Sequence, residues 1–383
     1  MEKPFYAKDF KLGVLGGGQL GRMLLVPAIR YDIKVSVLDP DPEAPCSRIA
    51  HEFTCGDFRD YDTVIKFGES CDVVTVEIEH VNVEALRELR NRGVRVFPQP
   101  EVLETVQDKG LQKAFYEKHN IPTAPFRMAE SKADVEASKD FLPFVQKLRK
   151  GGYDGRGVQV IRTEADFPKA FDAPSVLEKF VDFEKEIAAV AARNEAGEIE
   201  IFPLVELVFN PEANLVEFLS APAQIAPDVI ARIEEIARQT VNAYGITGIM
   251  AIEFFKTADN EVFVNEVAPR PHNSGHHTIE ANATSQYEQH LRAILNLPLG
   301  STKQNKFAAM VNLLGADGHK GPVMYEGLTE TLSVPEVYVH IYGKALTKPF
   351  RKMGHVTATA SSHSEAAARA LEAKDKIQVK TAK

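Results

Sequence analysis

Cysteine is scarce: Cys46, Cys55 and Cys71 are the only three in 383 residues. An odd count without paired spacing excludes a disulfide framework and a thiolate metal site, and leaves reduced thiols in a cytosolic protein. No apolar run approaches the roughly 18 residues that a membrane span requires. The N-terminus, MEKPFYAKDF, lacks a signal-peptide core. The expected compartment is therefore the cytoplasm, with no membrane partner. No period repeats along the chain, and there is no low-complexity tract. Positive charge is in deficit, with 45 Lys and Arg against 54 Asp and Glu and a net charge of -9, which argues against a nucleic-acid partner. What remains is ordinary for a soluble chain, 44% apolar and 26% charged. The length suits two or three domains.

Residues 10–97 alternate in pattern. A short apolar run, Lys11–Leu15, ends in Gly16-Gly17-Gly18. A helix is expected over Leu20–Tyr31, strands at Lys34–Leu38 and Val73–Ile78, a helix at Val83–Arg92 and a strand at Val94–Phe97. This is the βα pattern of a parallel sheet. Pro98-Gln99-Pro100 closes the unit. Residues 101–120 are expected to form one helix, 144–181 a small β-rich unit, and 186–220 further strands. Val229, Ile230, Ile233, Ile236, Ala237 and Val241 recur at helical spacing after Pro227, with Gly245 at a helix-stop position. A helix at Ser285–Leu295 ends the central region. A mostly β tail follows, with strands near Phe307–Leu313 and Val337–Tyr342 and a last helix near Ser364–Ala373.

The most informative stretch is 249–277. Two strand-like runs, Ile249–Phe255 and Glu261–Val267, flank a polar turn, and each carries one carboxylate, Glu253 and Glu266. A two-residue turn at Asp259-Asn260 sets these acids directly opposite each other. A four-residue loop makes them diagonal neighbours on the same face. Like charges on a half-buried face repel unless a cation lies between them. Oxygen-only ligands suit Mg2+, which completes its shell with phosphate oxygens and water. The following APRPHNSGHH is too polar to pack as an element, so a rigid loop presenting groups to an anion is expected. His276, His277 and His290 are expected on loop or helix surfaces and not as metal ligands, since no thiolate or matched His spacing accompanies them.

Two glycine loops stand out. Gly16, Gly18 and Gly21 match G-x-G-x-x-G between a strand and a helix, with Asp39 about 20 residues on. Taken alone, this is a dinucleotide fingerprint. Gln19 inside the turn points instead to a polar group being read there. The second loop, Lys150–Val158, holds Gly151, Gly152, Gly155 and Gly157 around Tyr153, Asp154 and Arg156. It joins two strands, so it is a hairpin tip that can approach phosphates closely and move as a lid. Lys147, on the strand leading in, can neutralise nucleotide phosphate.

These pieces together resemble the ATP-grasp superfamily. LGGGQLGRM (15–23), EIEHV (77–81), GGYDGRG (151–157), NEVAPRPHNSGH (265–276) and the tail pattern of Lys344, Arg351, Lys352 and Gly354-His355 are similar, more narrowly, to the N5-carboxyaminoimidazole ribonucleotide synthase family of purine biosynthesis. The resemblance runs from about residue 10 to 356. It implies a three-domain α/β and α+β fold: a Rossmann-like parallel sheet at 1–98, an ATP-grasp domain at 99–298 with a β-rich lid at about 124–183, and a small β domain at 299–383.

The resemblance also implies roles. Bicarbonate attacks the γ-phosphate of ATP, and the carboxyphosphate formed carboxylates 5-aminoimidazole ribonucleotide, with ADP and phosphate leaving. Glu253 and Glu266 would hold Mg2+, with Mn2+ as a possible substitute. Lys109, Lys147, Gly152, Tyr153, Asp154, Gly155, Arg156, Gly157, Val158 and Asn265 would contact ATP phosphates together with Glu266. Glu178, the backbone of Lys179, Phe180 and Val181, and Glu186 would take adenine and ribose. Arg270, His272 and Asn273 would hold bicarbonate. Gln19, Leu20 and Glu77 would bind the ribonucleotide, whose phosphate Tyr153, Arg156, Lys344 and Arg351 would clamp. The expected assembly is a homodimer. Three positions depart from the family pattern. Ala268 replaces an Asn ligand of some ATP-grasp relatives, Lys109 stands where Arg is frequent, and Phe209 stands where a His contacts nucleotide. Competing readings are a formate-using glycinamide ribonucleotide transformylase, an NAD(P)-dependent oxidoreductase resting on the first glycine loop, and a non-catalytic nucleotide-binding module.

Overall fold

The computed structural model describes residues 3–152, 157–210 and 215–382, with backbone alone at 209, 210 and 215–217. Tyr153, Asp154, Gly155, Arg156 and the Phe209 side chain lie outside the described residues.

The N-terminal region runs β1 (Lys11–Leu15), α1 (Gln19–Arg30), β2 (Lys34–Asp39), β3 (Glu52–Cys55), α2 (Tyr61–Gly68), β4 (Val73–Val76), α3 (Val83–Asn91) and β5 (Arg95–Val96). All five strands are parallel, in the order β3-β2-β1-β4-β5. The runs KLGVL, KVSVL and VVTV are almost continuously apolar, as a sheet covered on both faces requires. The strand order reverses between β1 and β4. A crevice therefore opens at their C-terminal ends, where Gly16–Gly18 and Glu77 lie. β3 and α2 had no expected counterpart; β3 is a largely exposed edge strand with a single large apolar residue.

Where one helix was expected over 101–120, there are two, α4 (Pro100–Gln107) and α5 (Lys109–Lys118). Asp108 breaks them. Its backbone is extended, and its carboxylate accepts hydrogen bonds from the N–H groups of Gly110 and Leu111 while pairing with Arg149. The break puts Lys109 on the first turn of α5.

The lid is built from β6 (Phe126–Ala129), α6 (Lys132–Ala137), β7 (Phe144–Leu148), β8 (Val158–Ile161) and β9 (Ser175–Lys179). Its four strands pair antiparallel in the order β6-β9-β7-β8 over a small core that includes Val135, Phe144, Ile161 and Leu177.

The remaining elements are β10 (Phe183–Arg193), β11 (Ile199–Ile201), β12 (Val205–Asn210), β13 (Leu215–Ala221), α7 (Pro227–Tyr244), β14 (Gly248–Thr257), β15 (Val262–Ala268), α8 (Thr278–Ala281), α9 (Gln286–Ile294), β16 (Phe307–Leu314), β17 (Gly321–Glu326), α10 (Leu328–Leu332), β18 (Val337–Ile341), β19 (Leu346–Thr347), β20 (Lys352–Ala360), α11 (His363–Lys376) and β21 (Gln378–Thr381). One sheet runs β15-β14-β10-β12-β13-β16-β20-β18, with β11 beside β10. It crosses the sequence position where the tail was expected to separate, because β13 pairs with β16. The tail thus extends the central sheet, and only β17, β19 and β21 form a small sheet of their own. α7 covers one face with Val229, Ile233, Ile236, Ala237 and Val241 and ends at Gly245, whose φ of 58° is left-handed.

Candidate active site

The hairpin of β14 and β15 solves its geometry in a way neither expected turn allowed. Thr257 N–H donates to Glu261 O, so the loop is the three residues Ala258-Asp259-Asn260, with Asn260 at φ 62°. Near the loop the register is Lys256↔Val262 and Phe255↔Phe263. Continued unbroken, it would oppose Glu253 with Asn265 and turn Glu266 to the far face. The register shifts between Glu253 and Phe254, however, and the pairing becomes Glu253↔Glu266. Asn265 is the extra residue of a β-bulge. A bulge turns both of its residues toward one side, and both Asn265 and Glu266 reach the same cluster. Lys147 Nζ donates to Asn265 Oδ1 at 2.8 Å, and Lys109 Nζ donates to Glu266 Oε2 at 2.8 Å.

Glu186, from β10, completes the acidic group. It was expected at the ribose; here its carboxyl neighbours those of Glu253 and Glu266. Burial, and then the neighbouring Glu253 and Glu266, raise the Glu186 carboxyl above the carboxylate range. Burial and Glu266 raise Glu253 as well. Glu266 moves the other way because the Lys109 ammonium holds it ionised. Among the described residues no three His, Cys, Asp or Glu side chains gather to hold a metal by themselves. Two facing carboxylates that repel each other, one already in need of a proton, fit Mg2+ shared with phosphate oxygens and water.

Glu178, at the end of β9, is buried. Its Oε2 accepts from Lys147 Nζ at 3.0 Å and forms an ion pair with Lys113 Nζ at 3.1 Å. The N–H groups of Lys179 and Phe180 donate to the carbonyls of Pro125 and Pro143, which leaves their own carbonyls as the groups that could meet an adenine amino group. Of the lid loop, Gly152, Gly157 and Val158 are described; Gly157 has a φ of 75°, and its carbonyl accepts from Leu148 N–H.

The polar loop after β15 divides in two. Arg270 makes a two-pronged pair with Glu79, Nε to Oε2 at 2.6 Å and Nη2 to Oε1 at 2.9 Å. Burial would raise Glu79, but this guanidinium holds it at about 2. His272 Nδ1 accepts from Ser274 N–H, so Nε2 carries the proton and faces Glu253 Oε1 at 3.7 Å. Burial, then Arg270 and Lys352, push His272 down to about 3, so it is a neutral donor at working pH. Its backbone is gripped by Gln286, which accepts from His272 N–H and donates to His272 O. Asn273 exchanges hydrogen bonds with Asn312 of β16. The second half of the loop contradicts the expected solvent-facing reading. His276 and His277 are each 1% exposed and His290 is fully buried. Burial keeps all three neutral. His276 Nδ1 is bonded by Gln286 and Tyr287, and His290 Nε2 by Thr75. His276 and His290, neutral and so bonded, pack as core residues, while both ring nitrogens of the buried His277 lack a side-chain or backbone hydrogen-bond partner among the described residues.

At the first glycine loop, Glu77 occupies the place a dinucleotide pyrophosphate would need. Leu20 N–H donates to Glu77 Oε1 at 3.1 Å, and a Cβ added at Gly16 or Gly18 would meet the Glu77 carboxylate at 2.6 or 2.5 Å. Asp39 is equally committed, accepting from the N–H groups of Gly17 and Asp41. The two features that suggested NAD(P) thus bind each other's surroundings. Glu77 and Glu79 lie beyond β4 and have different partners, Leu20 N–H and Arg270. Gln19, the first residue of α1, is half-buried at the same mouth. Lys344 donates to Lys352 O at 2.7 Å, and its charge acts on Glu77. Arg351 instead donates to Leu346 O at 2.5 Å. Lys352, left out of the expected site, acts on both Glu253 and His272. Burial raises Glu77 to about 7 from the ordinary 4.5. The folded chain thus keeps a proton that the unfolded chain has lost, and this group's contribution to stability falls as pH rises from about 4.5 through about 7. In Glu77→Gln, the drop in thermal midpoint between pH 5 and pH 8 is expected to be smaller than in the parent; an equal drop would contradict the buried titration.

Two carboxylates facing across a bulged hairpin, lysines from the helix and the lid, and an Arg-His-Asn loop beside them are the kinds of group that phosphoryl transfer uses. Family models agree along the chain: a ribonucleotide synthetase preATP-grasp domain over residues 10–107, an ATP-grasp domain over 114–287, and a phosphoribosylaminoimidazole carboxylase C-terminal domain over 308–369. The N5-carboxyaminoimidazole ribonucleotide synthase of Synechococcus elongatus is 38% identical, over 90% of this chain and 88% of its own. This chain belongs to the N5-carboxyaminoimidazole ribonucleotide synthase family. The synthetase of that name from Thermotoga maritima superposes with a TM-score of 0.89 at 42% identity, covering 97% of this chain and all of that one. The Aspergillus clavatus synthase in complex with ADP and 5-aminoimidazole ribonucleotide superposes with a TM-score of 0.87 at 33% identity, covering 96% and 98%. The chain spans 66% of the length of the Ogataea methanolica phosphoribosylaminoimidazole carboxylase, to which it is 36% identical over 92% of its own length. The family's three-part ATP-grasp fold is the one described above.

Sequence reasoning missed Glu79, Lys113, Gln286, Asn312 and Lys352. Glu79 was visible as the second acid of EIEHV but not its partner, and Lys113 only as a lysine one turn after Lys109. Nothing in the local pattern marks Gln286 or Asn312, which act from elements distant in sequence.

Proposed function

We propose that the chain carboxylates 5-aminoimidazole ribonucleotide to N5-carboxyaminoimidazole ribonucleotide, using ATP and bicarbonate through carboxyphosphate and releasing ADP and phosphate in de novo purine synthesis. The observation that carries this is the Glu253–Glu266 pair directly beside the Arg270–Asn273 loop, with the glycine loop closed to dinucleotides by Glu77. Glu253 and Glu266 would hold Mg2+, or Mn2+, which supplies charge neutralisation on the nucleotide phosphates. Lys109 and Lys147 stand ready to exchange their carboxylate and amide partners for phosphate oxygens. Arg270, fixed by Glu79, and the neutral His272 Nε2–H would orient bicarbonate by hydrogen bonds and charge. Glu77, at the mouth with Gln19, Leu20 and Lys344, would accept from the ribonucleotide. The lid, whose tip is the loop at 151–158, would close to keep water from carboxyphosphate. A homodimer in the cytoplasm is the expected setting; no described helix is long and apolar enough to cross a membrane.

Substrate exchange tests the reaction. ADP release is expected with bicarbonate and aminoimidazole ribonucleotide, and not with formate and glycinamide ribonucleotide. The reverse result would assign the formylating reaction. For the phosphate clamp, Lys344→Ala is expected to raise KM for the ribonucleotide about tenfold with ATP KM within about twofold, as loss of one charged hydrogen bond implies. Arg351→Ala, turned toward Leu346, is expected to do less. Equal effects on both substrates would remove the clamp.

A further inference from the structure

One charged group at the centre has no part in the reaction described so far. Lys113 is only 1% exposed, on α5 one turn beyond Lys109. Residues four apart share a helix face, so α5 presents two lysines to the centre. Lys109 reaches Glu266, and Lys113 reaches Glu178. Lys113 Nζ also donates to Thr123 Oγ1 at 2.6 Å, and Thr123 Oγ1 donates to the carbonyl of Val264, in the strand that carries Glu266. Thr123 and Val264 form a β-bridge at the same place, where the chain leaves α5 for the lid. Lys113 therefore ties together the helix, the lid root and the hairpin.

The same Glu178 oxygen serves Lys113 and Lys147. A buried carboxylate must keep a cation, because leaving it unpaired is strongly unfavourable. If a nucleotide phosphate draws Lys147 away, Glu178 stays paired only because Lys113 remains. We propose that Lys113 is a positioning residue for nucleotide binding: it keeps Glu178 in place and charged, which frees Lys147 to exchange Glu178 for phosphate. This deepens the ATP-dependent reading above and rests on it.

Calorimetric titration with MgADP tests it, with no need of turnover. The parent chain is expected to bind MgADP; failure to do so would overturn the ATP-dependent reading itself. Lys113→Met is expected to raise the Kd for MgADP about tenfold, as loss of a buried charged contact implies. It should leave the Kd for the ribonucleotide unchanged. In a Glu178→Gln background the carboxylate that needs a cation is gone, and adding Lys113→Met is expected to change Kd by less than about twofold. An unchanged Kd in Lys113→Met, or a full tenfold loss repeated in the Glu178→Gln background, would overturn the proposal. Thr123→Val preserves volume and cuts only the Lys113–Thr123–Val264 link, so it serves where Lys113→Met fails to fold. It is expected to weaken MgADP binding several-fold, and unchanged binding would overturn the proposal.

Discussion

Glu266→Gln is expected to lower ATP turnover at least about 100-fold at any Mg2+ concentration, the loss expected when a charged group at a metal centre is removed. Glu266 is the one acid of the group held fully ionised, through Lys109, while Glu186 and Glu253 are pushed toward protonation. It is therefore the carboxylate that would meet the proposed divalent cation first. Gln keeps the shape and the hydrogen bond to Lys109 but not the charge. The register Glu253↔Glu266 depends on the bulge at Asn265 and not on the side-chain charge, so the fold should survive. Near-parent turnover in a folded Glu266→Gln protein would remove the metal assignment.

Arg270→Met is expected to lower turnover by about 100-fold while MgADP binding stays within about threefold, as loss of one preorganised charge in a transition-state site implies. The same change leaves Glu79 without its guanidinium. Glu79 is half-buried, its side chain 19% exposed, and an acid so placed is destabilising without its partner, so the variant should also melt at lower temperature. Arg270→Met with Glu79→Gln removes both charges; it should recover the thermal midpoint but not the turnover. That split separates the two tasks of Arg270. Recovery of activity with stability would mean that Arg270 is only structural, and a loss of MgADP binding in parallel with turnover would place it at the nucleotide instead.

Legibility in the sequence followed the range of the interactions. The parallel sheet, the lid and α7 showed in local periodicity, because KLGVL, KVSVL and the Val229–Val241 spacing report burial within one element. Glu253 and Glu266 were legible as a pair only through an even-length turn, which the three-residue loop does not supply. The bulge that pairs them was not, since an extra residue such as Asn265 leaves no mark in alternation. The break at Asp108 was hidden for a related reason. Its cap is a common local feature, but its partner Arg149 lies 41 residues away. The dinucleotide-like glycine loop shows the converse error. Its spacing is real, and only the three-dimensional position of Glu77, after a different strand, shows that a carboxylate fills the helix N-terminus. The buried histidines were misplaced because histidine is polar by composition; its neutral ring, once bonded by Gln286, Tyr287 or Thr75, packs like any other core group.

The most direct measurement is ADP release from Mg·ATP and bicarbonate with the ribonucleotide present and absent. Rapid release with 5-aminoimidazole ribonucleotide, dependence on Mg2+ and bicarbonate, and little release without the ribonucleotide are expected. ADP release indifferent to the ribonucleotide, or none under any of these conditions, would contradict the assignment of this centre to its carboxylation.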